Sequence, residues 1–161
     1  MADSLSDRFV FFWGGPFSQW AKYTIVIDGR EYNNCEQYMM AQKAQLFGDA
    51  EMEARIMVSR NPREQKALGR KVRNFDADRW EAAREAIVFQ ANLAKFSQNA
   101  DLREMLLATG DKVIAEASPK DAIWGIGMAE NHPNVTDTTL WGQNLLGKAI
   151  MRVRDALREG E

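Results

Sequence analysis

The chain is predicted to fold as a mainly α domain with a small β element at its N-terminal end, an α+β arrangement. Three observations carry this. Short aromatic and β-branched runs bounded by glycine occupy the first fifth of the chain, helical periodicity takes over near Asn34, and 161 residues run without repeat, low-complexity tract or linker. That length suits one domain with one core, so residues 1–161 are read as a single domain with 1–8 as a flexible terminus.

Phe9 to Trp13 reads as a buried strand, because aromatic and β-branched side chains pack well on a pleated surface and Gly14-Gly15-Pro16 ends the run. Tyr23 to Ile27 is a second strand. Asp28-Gly29 tolerates the positive φ of a tight hairpin turn, and Arg30-Glu31-Tyr32 returns from it. From Asn34, the spacing of Met40, Ala44 and Phe47 is helical, with Gly48 as the stop.

Asn61-Pro62-Arg63-Glu64 has a cap residue, a proline where no amide donor is needed, and a glutamate placed to return the cap. Asp78-Arg79-Trp80-Glu81 repeats that logic and opens a helix whose apolar stripe is Ala83, Ile87, Val88, Ala91 and Ala94. Leu102, Met105 and Leu106 mark a helix ending near Gly110, and Leu146, Ile150, Val153 and Leu157 form the stripe of the last one. Between these, residues 118–127 lack a helical period, and their proline and glycines predict a loop.

Composition narrows the function classes. Hydrophobic residues at 45% and charged residues at 27% are ordinary for a globular chain. With 21 basic against 23 acidic side chains the formal charge is -2, so there is no global positive field for a polyanion and any nucleic-acid contact must use a local patch. One cysteine, Cys35, and one histidine, His132, exclude an internal disulfide and a zinc-type cluster, so no metal and no cofactor are expected. The Phe9–Trp13 run is too short for a signal peptide's apolar region or a membrane span, which with a reduced cysteine points to the cytoplasm. Oligomeric state is not written in these patterns.

Candidate chemistry lies in two places. Glu36 and Lys43 stand two turns apart on nearly one helix face, about 10 Å of rise, so a substrate fits between them; a merely solvated charged face is the alternative. Asp121 and Trp124 share a glycine-bearing loop, where a carboxylate can bind a ribose hydroxyl or orient water, or simply cap a turn beside a core indole. Trp80 at a helix start reads as core, interface or base-stacking platform. Cys35 reads as a buried thiol rather than a nucleophile, His132 as an exposed loop residue, and Arg152-Val153-Arg154 as a solvated flank of the last helix.

Taken in order, Pro16-Phe17-Ser18, Glu36 with Ala41-Gln42-Lys43, Gly69-Arg70, Trp80, Lys95-Phe96, Asp121 with Ile123-Trp124-Gly125, and Asn144-Leu145-Leu146-Gly147 resemble the YbiA/NADAR family across nearly the whole chain. The resemblance implies a YbiA-like, mainly helical domain that hydrolyses N-glycosidic bonds. It carries two substrate classes, phosphoribosyl-aminopyrimidine intermediates of riboflavin biosynthesis and ADP-ribose attached to guanine in nucleic acid. Carried over by position, it implies Glu36, Lys43 and Asp121 as catalytic and Trp80, Trp124, Phe17, Ser18 and Asn144 as substrate-binding. Members often have asparagine after Phe-Ser, whereas here Gln19 follows, one methylene longer.

Breaking a ribosyl C–N bond builds positive charge on the sugar and negative charge on the leaving base, so an anion near one and a donor near the other are required. The expectation is that Lys43 captures the anomeric carbon as an imine while Glu36 manages protons. A module that binds ADP-ribose or a nucleotide without turnover is the alternative. A purely structural role in an assembly has no coiled-coil pattern or charged tail to support it.

Overall fold

The computed structural model describes residues 5–160, which form two compact units, one of residues 5–18 with 99–160 and one of residues 19–98. The flexible terminus expected for 1–8 lies in part outside the described residues, and Leu5–Arg8 form a short helical turn, α1.

In the first unit, strand β1 (Phe9–Phe12) pairs in parallel with β4 (Val113–Glu116), Phe9 facing Val113 and Phe12 facing Glu116 in register. Two expectations change here. Trp13 falls beyond the end of β1 and is 62% exposed, because the chain turns through Gly14 and Gly15 with φ of 88° and 71°. The partner of β1 is also not the neighbouring hairpin but β4, a strand too short to stand out in the sequence.

Helix α6 (Ala100–Leu107) precedes β4, and α7 (Leu145–Glu159) ends the chain. The α7 stripe is buried as its spacing predicts, with Leu146, Ile150 and Val153 each fully enclosed, and each such aliphatic side chain contributes roughly 1.5–3 kcal/mol. On α6, Met105 departs from the expected stripe and is exposed. Arg154 is no solvated flank: it is buried, and its guanidinium donates to Thr109 Oγ1 at 2.9 Å and the Lys112 carbonyl at 2.8 Å. Residues 118–127 are indeed a loop, leading to a core cluster of Ala115, Ala117, Ile126, Met128 and Val135 with Phe11 and Trp141 packed on it.

In the second unit, β2 (Ile25–Ile27) and β3 (Arg30–Tyr32) form the hairpin, and Asp28 and Gly29 both take positive φ at its turn. Four helices follow, α2 (Cys35–Leu46), α3 (Ala50–Val58), α4 (Pro62–Gly69) and α5 (Ala77–Gln98). Asn34 caps α2 by accepting from the Gln37 amide at 2.8 Å, and Phe47 is the buried residue just past its end. Asn61 caps α4, accepting from the Arg63 amide at 2.9 Å, but its own N–H goes to Ser59 Oγ at 3.3 Å and Glu64 stays exposed.

The α5 cap is Asp76 rather than Asp78: its carboxylate accepts from the Arg79 amide at 3.1 Å and its carbonyl from Trp80 at 3.0 Å. Gly69 of α4 packs against the Met40 side chain of α2, which a Cβ at that position would displace. No helix among the described residues is long and apolar enough to cross a membrane.

Candidate active site

The first turn of α2 is fixed from several sides. The Glu36 amide donates to the Gln19 carbonyl at 3.2 Å, and the Gln37 side chain bonds the Ile56, Met57 and Ser59 carbonyls at 3.1–3.2 Å. Gln37 Oε1 in turn accepts from the Asn33 amide at 2.7 Å, tying the helix start to the end of α3. Glu36 is thereby held at a helix N-terminus, where the dipole favours an anion, and is only 7% exposed. The picture of a solvated charged face does not describe it.

Two turns on, Lys43 is half-buried, with its Nζ 4.9 Å from the Phe75 ring centroid and 5.5 Å from that of Trp80. Trp80 is buried in the first turn of α5, and one face of its indole is turned to this ammonium. Burial pushes the Lys43 pKa down, the nearby Arg70 cation pushes it further the same way, and the Glu36 charge acts in the opposite direction. Three of the expected residues, Glu36, Lys43 and Trp80, therefore share one electrostatic neighbourhood in the second unit.

That unit also buries a lysine that the helical pattern did not single out. Lys95 is 1% exposed, its Nζ 5.7 Å from the Tyr23 ring and 5.2 Å from that of Phe96, and burial lowers its pKa. The available signal was its position four residues after Ala91 and seven after Val88, on the buried stripe of α5. One turn earlier, the buried Asn92 donates to Gln19 Oε1 at 2.9 Å, and its Oδ1 has no hydrogen-bond partner among the described residues. Gln19 thus uses its longer amide within the protein, its Nε2 facing Met39 Sδ at 3.9 Å. Cys35 is buried with Sγ 3.7 Å from the Ala91 carbonyl, and burial pushes its thiol up to about 11, which keeps it from acting as a thiolate.

The other expected residues lie in the first unit. Asp121 is half-buried, and its Oδ1 accepts from the Ile123 and Trp124 amides, both at 2.9 Å, so it shapes the turn that carries the half-buried Trp124. Phe17 is buried edge-on against Phe12, with ring centroids 5.8 Å apart, and the amide of half-buried Ser18 donates to the Gly15 carbonyl at 3.1 Å.

Asn144 is buried at φ 51° with its amide committed to β4, donating to the Ile114 carbonyl at 3.0 Å and accepting from the Glu116 amide at 3.1 Å. His132 is exposed and accepts from the Asn134 amide at 3.0 Å. Among the described residues, no group of three or more His, Cys, Asp or Glu is placed to hold a metal ion.

Comparison with known proteins places the chain in a family. The NADAR domain model matches residues 11–158. The chain is 43% identical to the N-glycosidase R617 of Acanthamoeba polyphaga mimivirus, over 93% of this chain and 96% of that protein. It is 33% identical to the N-glycosidase YbiA of Escherichia coli, over 89% and 81% of the two chains. The NMR structure of Escherichia coli YbiA superposes with a TM-score of 0.78 at 30% identity, covering 96% of this chain and 87% of that one. With its helices, its short strands and its sequence matched over nearly all its length, the chain belongs to the NADAR domain family.

Proposed function

We propose that this chain is an N-glycosidase that hydrolyses the ribosyl C–N bond of a nucleotide-like substrate, with Lys43 as nucleophile and Glu36 as proton shuttle. The observation that carries the reading is the Lys43 amine, half-buried between two aromatic faces two turns from a buried carboxylate. Burial and Arg70 favour the neutral amine that attack requires. The faces of Phe75 and Trp80 suit the positive charge that develops afterwards.

In this mechanism Lys43 Nζ attacks the anomeric carbon and the C–N bond breaks, its electron pair leaving with the base. The Glu36 carboxylate removes the extra proton from Nζ and passes it to the base, and the sugar opens to the imine, its ring oxygen taking a proton from the incoming water. Water adds to the imine carbon, and collapse of that adduct frees the sugar and restores the lysine. One water is consumed per bond cleaved. The substrate is a phosphoribosyl-aminopyrimidine or an ADP-ribosylated guanine, and the protein acts in the cytoplasm. On the family resemblance, Asp121 is proposed as a third catalytic residue and Trp124, Phe17, Ser18 and Asn144 as substrate-binding residues.

The test is release of free base from both substrate classes, followed by chromatography, with sodium borohydride added to trap an imine. Wild type should release base and gain a reduced sugar adduct on the peptide carrying Lys43. Lys43→Ala and Glu36→Gln should each lose about 10²–10⁴-fold in turnover while staying folded. Asp121→Asn keeps the acceptor for the two loop amides, so a fall in rate there reports on its charge. Near wild-type turnover in Lys43→Ala would replace the imine by direct water attack, and ligand that stays bound and intact on prolonged incubation would make the protein a binding module.

A further inference from the structure

The first amides of a helix have no carbonyl within the helix to bond, so each needs an acceptor from elsewhere. At the start of α2, the Asn34 side chain takes the Gln37 amide at 2.8 Å. The Glu36 amide is taken instead by the main-chain carbonyl of Gln19, at 3.2 Å, from a turn outside the regular elements. The placement of Glu36 therefore depends on what holds residue 19.

What holds it is its own side chain. Asn92, buried in α5 at 0% exposure, points its Nδ2 at two oxygens, Gln19 Oε1 and the Val88 carbonyl, each at 2.9 Å. A main-chain carbonyl can only accept, so the Val88 contact identifies the Asn92 nitrogen, and that in turn sets the Gln19 oxygen toward α5. The Gln19 nitrogen is left facing Met39 Sδ, at 3.9 Å. Glu36 and Met39 are three residues apart and share a face of α2. One residue thus spans two helices: it meets α2 at Glu36 through its backbone and at Met39 through its amide, and it meets α5 at Asn92.

From this geometry we propose that Gln19 and Asn92 form an amide clasp that positions Glu36 for proton transfer. They are positioning residues: neither handles the proton, and both act through the backbone of Glu36. The proposal rests on the proton-shuttle reading of Glu36 and deepens it by naming what fixes that residue in place. The clasp is specific in length. Gln19→Asn falls one methylene short of Asn92, and adding Asn92→Gln restores the combined reach. Burial of Asn92 sharpens the dependence, because an amide cut off from water has no solvent to replace a lost partner.

The experiment compares wild type, Gln19→Asn and Gln19→Asn/Asn92→Gln by hydrogen exchange of single amides in NMR spectra and by release of free base. Gln19→Asn should speed exchange of the Glu36 amide about tenfold, while the Gln37 amide, held by Asn34, keeps its rate. The substrate is whichever of a phosphoribosyl-aminopyrimidine and an ADP-ribosylated guanine oligonucleotide the wild type cleaves. On it, Gln19→Asn should lower kcat about ten- to a hundredfold with KM within about twofold. The double variant should regain most of both losses.

An unchanged Glu36 amide in Gln19→Asn, or both amides exchanging faster together, would overturn the clasp. So would an unrepaired double variant, or a kcat indifferent to a freed Glu36 amide. Failure of the N-glycosidase reading is separate and visible, as no base released by wild type from either substrate, and the exchange rates would still decide whether the clasp holds Glu36.

Discussion

At the scale of single residues, the proposed chemistry turns on a lysine whose pKa its surroundings lower. Lys43 is lowered first by loss of water and then by Arg70, and Glu36 opposes both. If its neutral form attacks, kcat/KM rises with pH through the Lys43 pKa, and that rising limb lies below the range of a free lysine. Removing a cation that disfavours the ammonium raises the pKa. Arg70→Gln should therefore shift the limb to higher pH, and a pH–rate profile of the two proteins on a small substrate checks it. An unmoved limb would detach Lys43 from the titration.

At the scale of elements, caps and junctions hold the second unit's helices, and Asp49 shows how. Its Oδ1 caps α3 through the Met52 amide at 3.1 Å, and its carboxylate takes the Arg73 guanidinium and the Arg73 amide, each at 2.9 Å. The Arg73 side-chain hydrogen bond is the main reason its pKa falls well below the usual carboxylate range. A depressed carboxylate contributes stability that is fully present above its unfolded pKa, near 4, and is lost as pH falls through the folded value. Asp49→Asn keeps the cap and removes the charge. Wild type should therefore be the more stable of the two above about pH 5, with the gap closing under acid, as denaturant melts at stepped pH would show; a gap constant with pH would deny Arg73 this role.

The same scale shows which patterns could be read directly. The hairpin at Asp28-Gly29, the Asn34 and Asn61 caps and the α7 stripe follow from local stereochemistry, and all are found where the residues predict them. The cap of α5 was misjudged by two positions, because Asp76 and Asp78 have the same chemistry and only the backbone decides which one begins the helix. The strand β4 was missed because four residues after a turn carry little periodicity of their own; they become a strand by pairing with residues about a hundred positions earlier.

At the scale of the whole molecule, the two units differ in how far apart in sequence their contacts lie. The second is continuous, residues 19–98, whereas the first joins 5–18 to 99–160 through the parallel β1–β4 pair. Closing a long loop costs entropy before its contacts form, so local contacts form sooner. In pulse-labelled hydrogen exchange during refolding, amides of α2 and α5 should gain protection before those of β1 and β4. Simultaneous protection would mean that the units fold as one cooperative body.

The candidate site divides along the same line. The sequence by itself determined the mainly helical class, the hairpin, most of the helices and, through its resemblance to a known family, the residues to watch, since these rest on short-range periodicity, turn chemistry and ordered motifs. Only the tertiary structure decided that Glu36 is buried, that Lys43 lies between Phe75 and Trp80, that Lys95 is enclosed, and that Arg154 turns inward. It also left Arg63, Lys66 and Arg70 exposed. Burial and electrostatic neighbourhood are set by segments distant in sequence packing together, and no local pattern encodes which partners a side chain will meet.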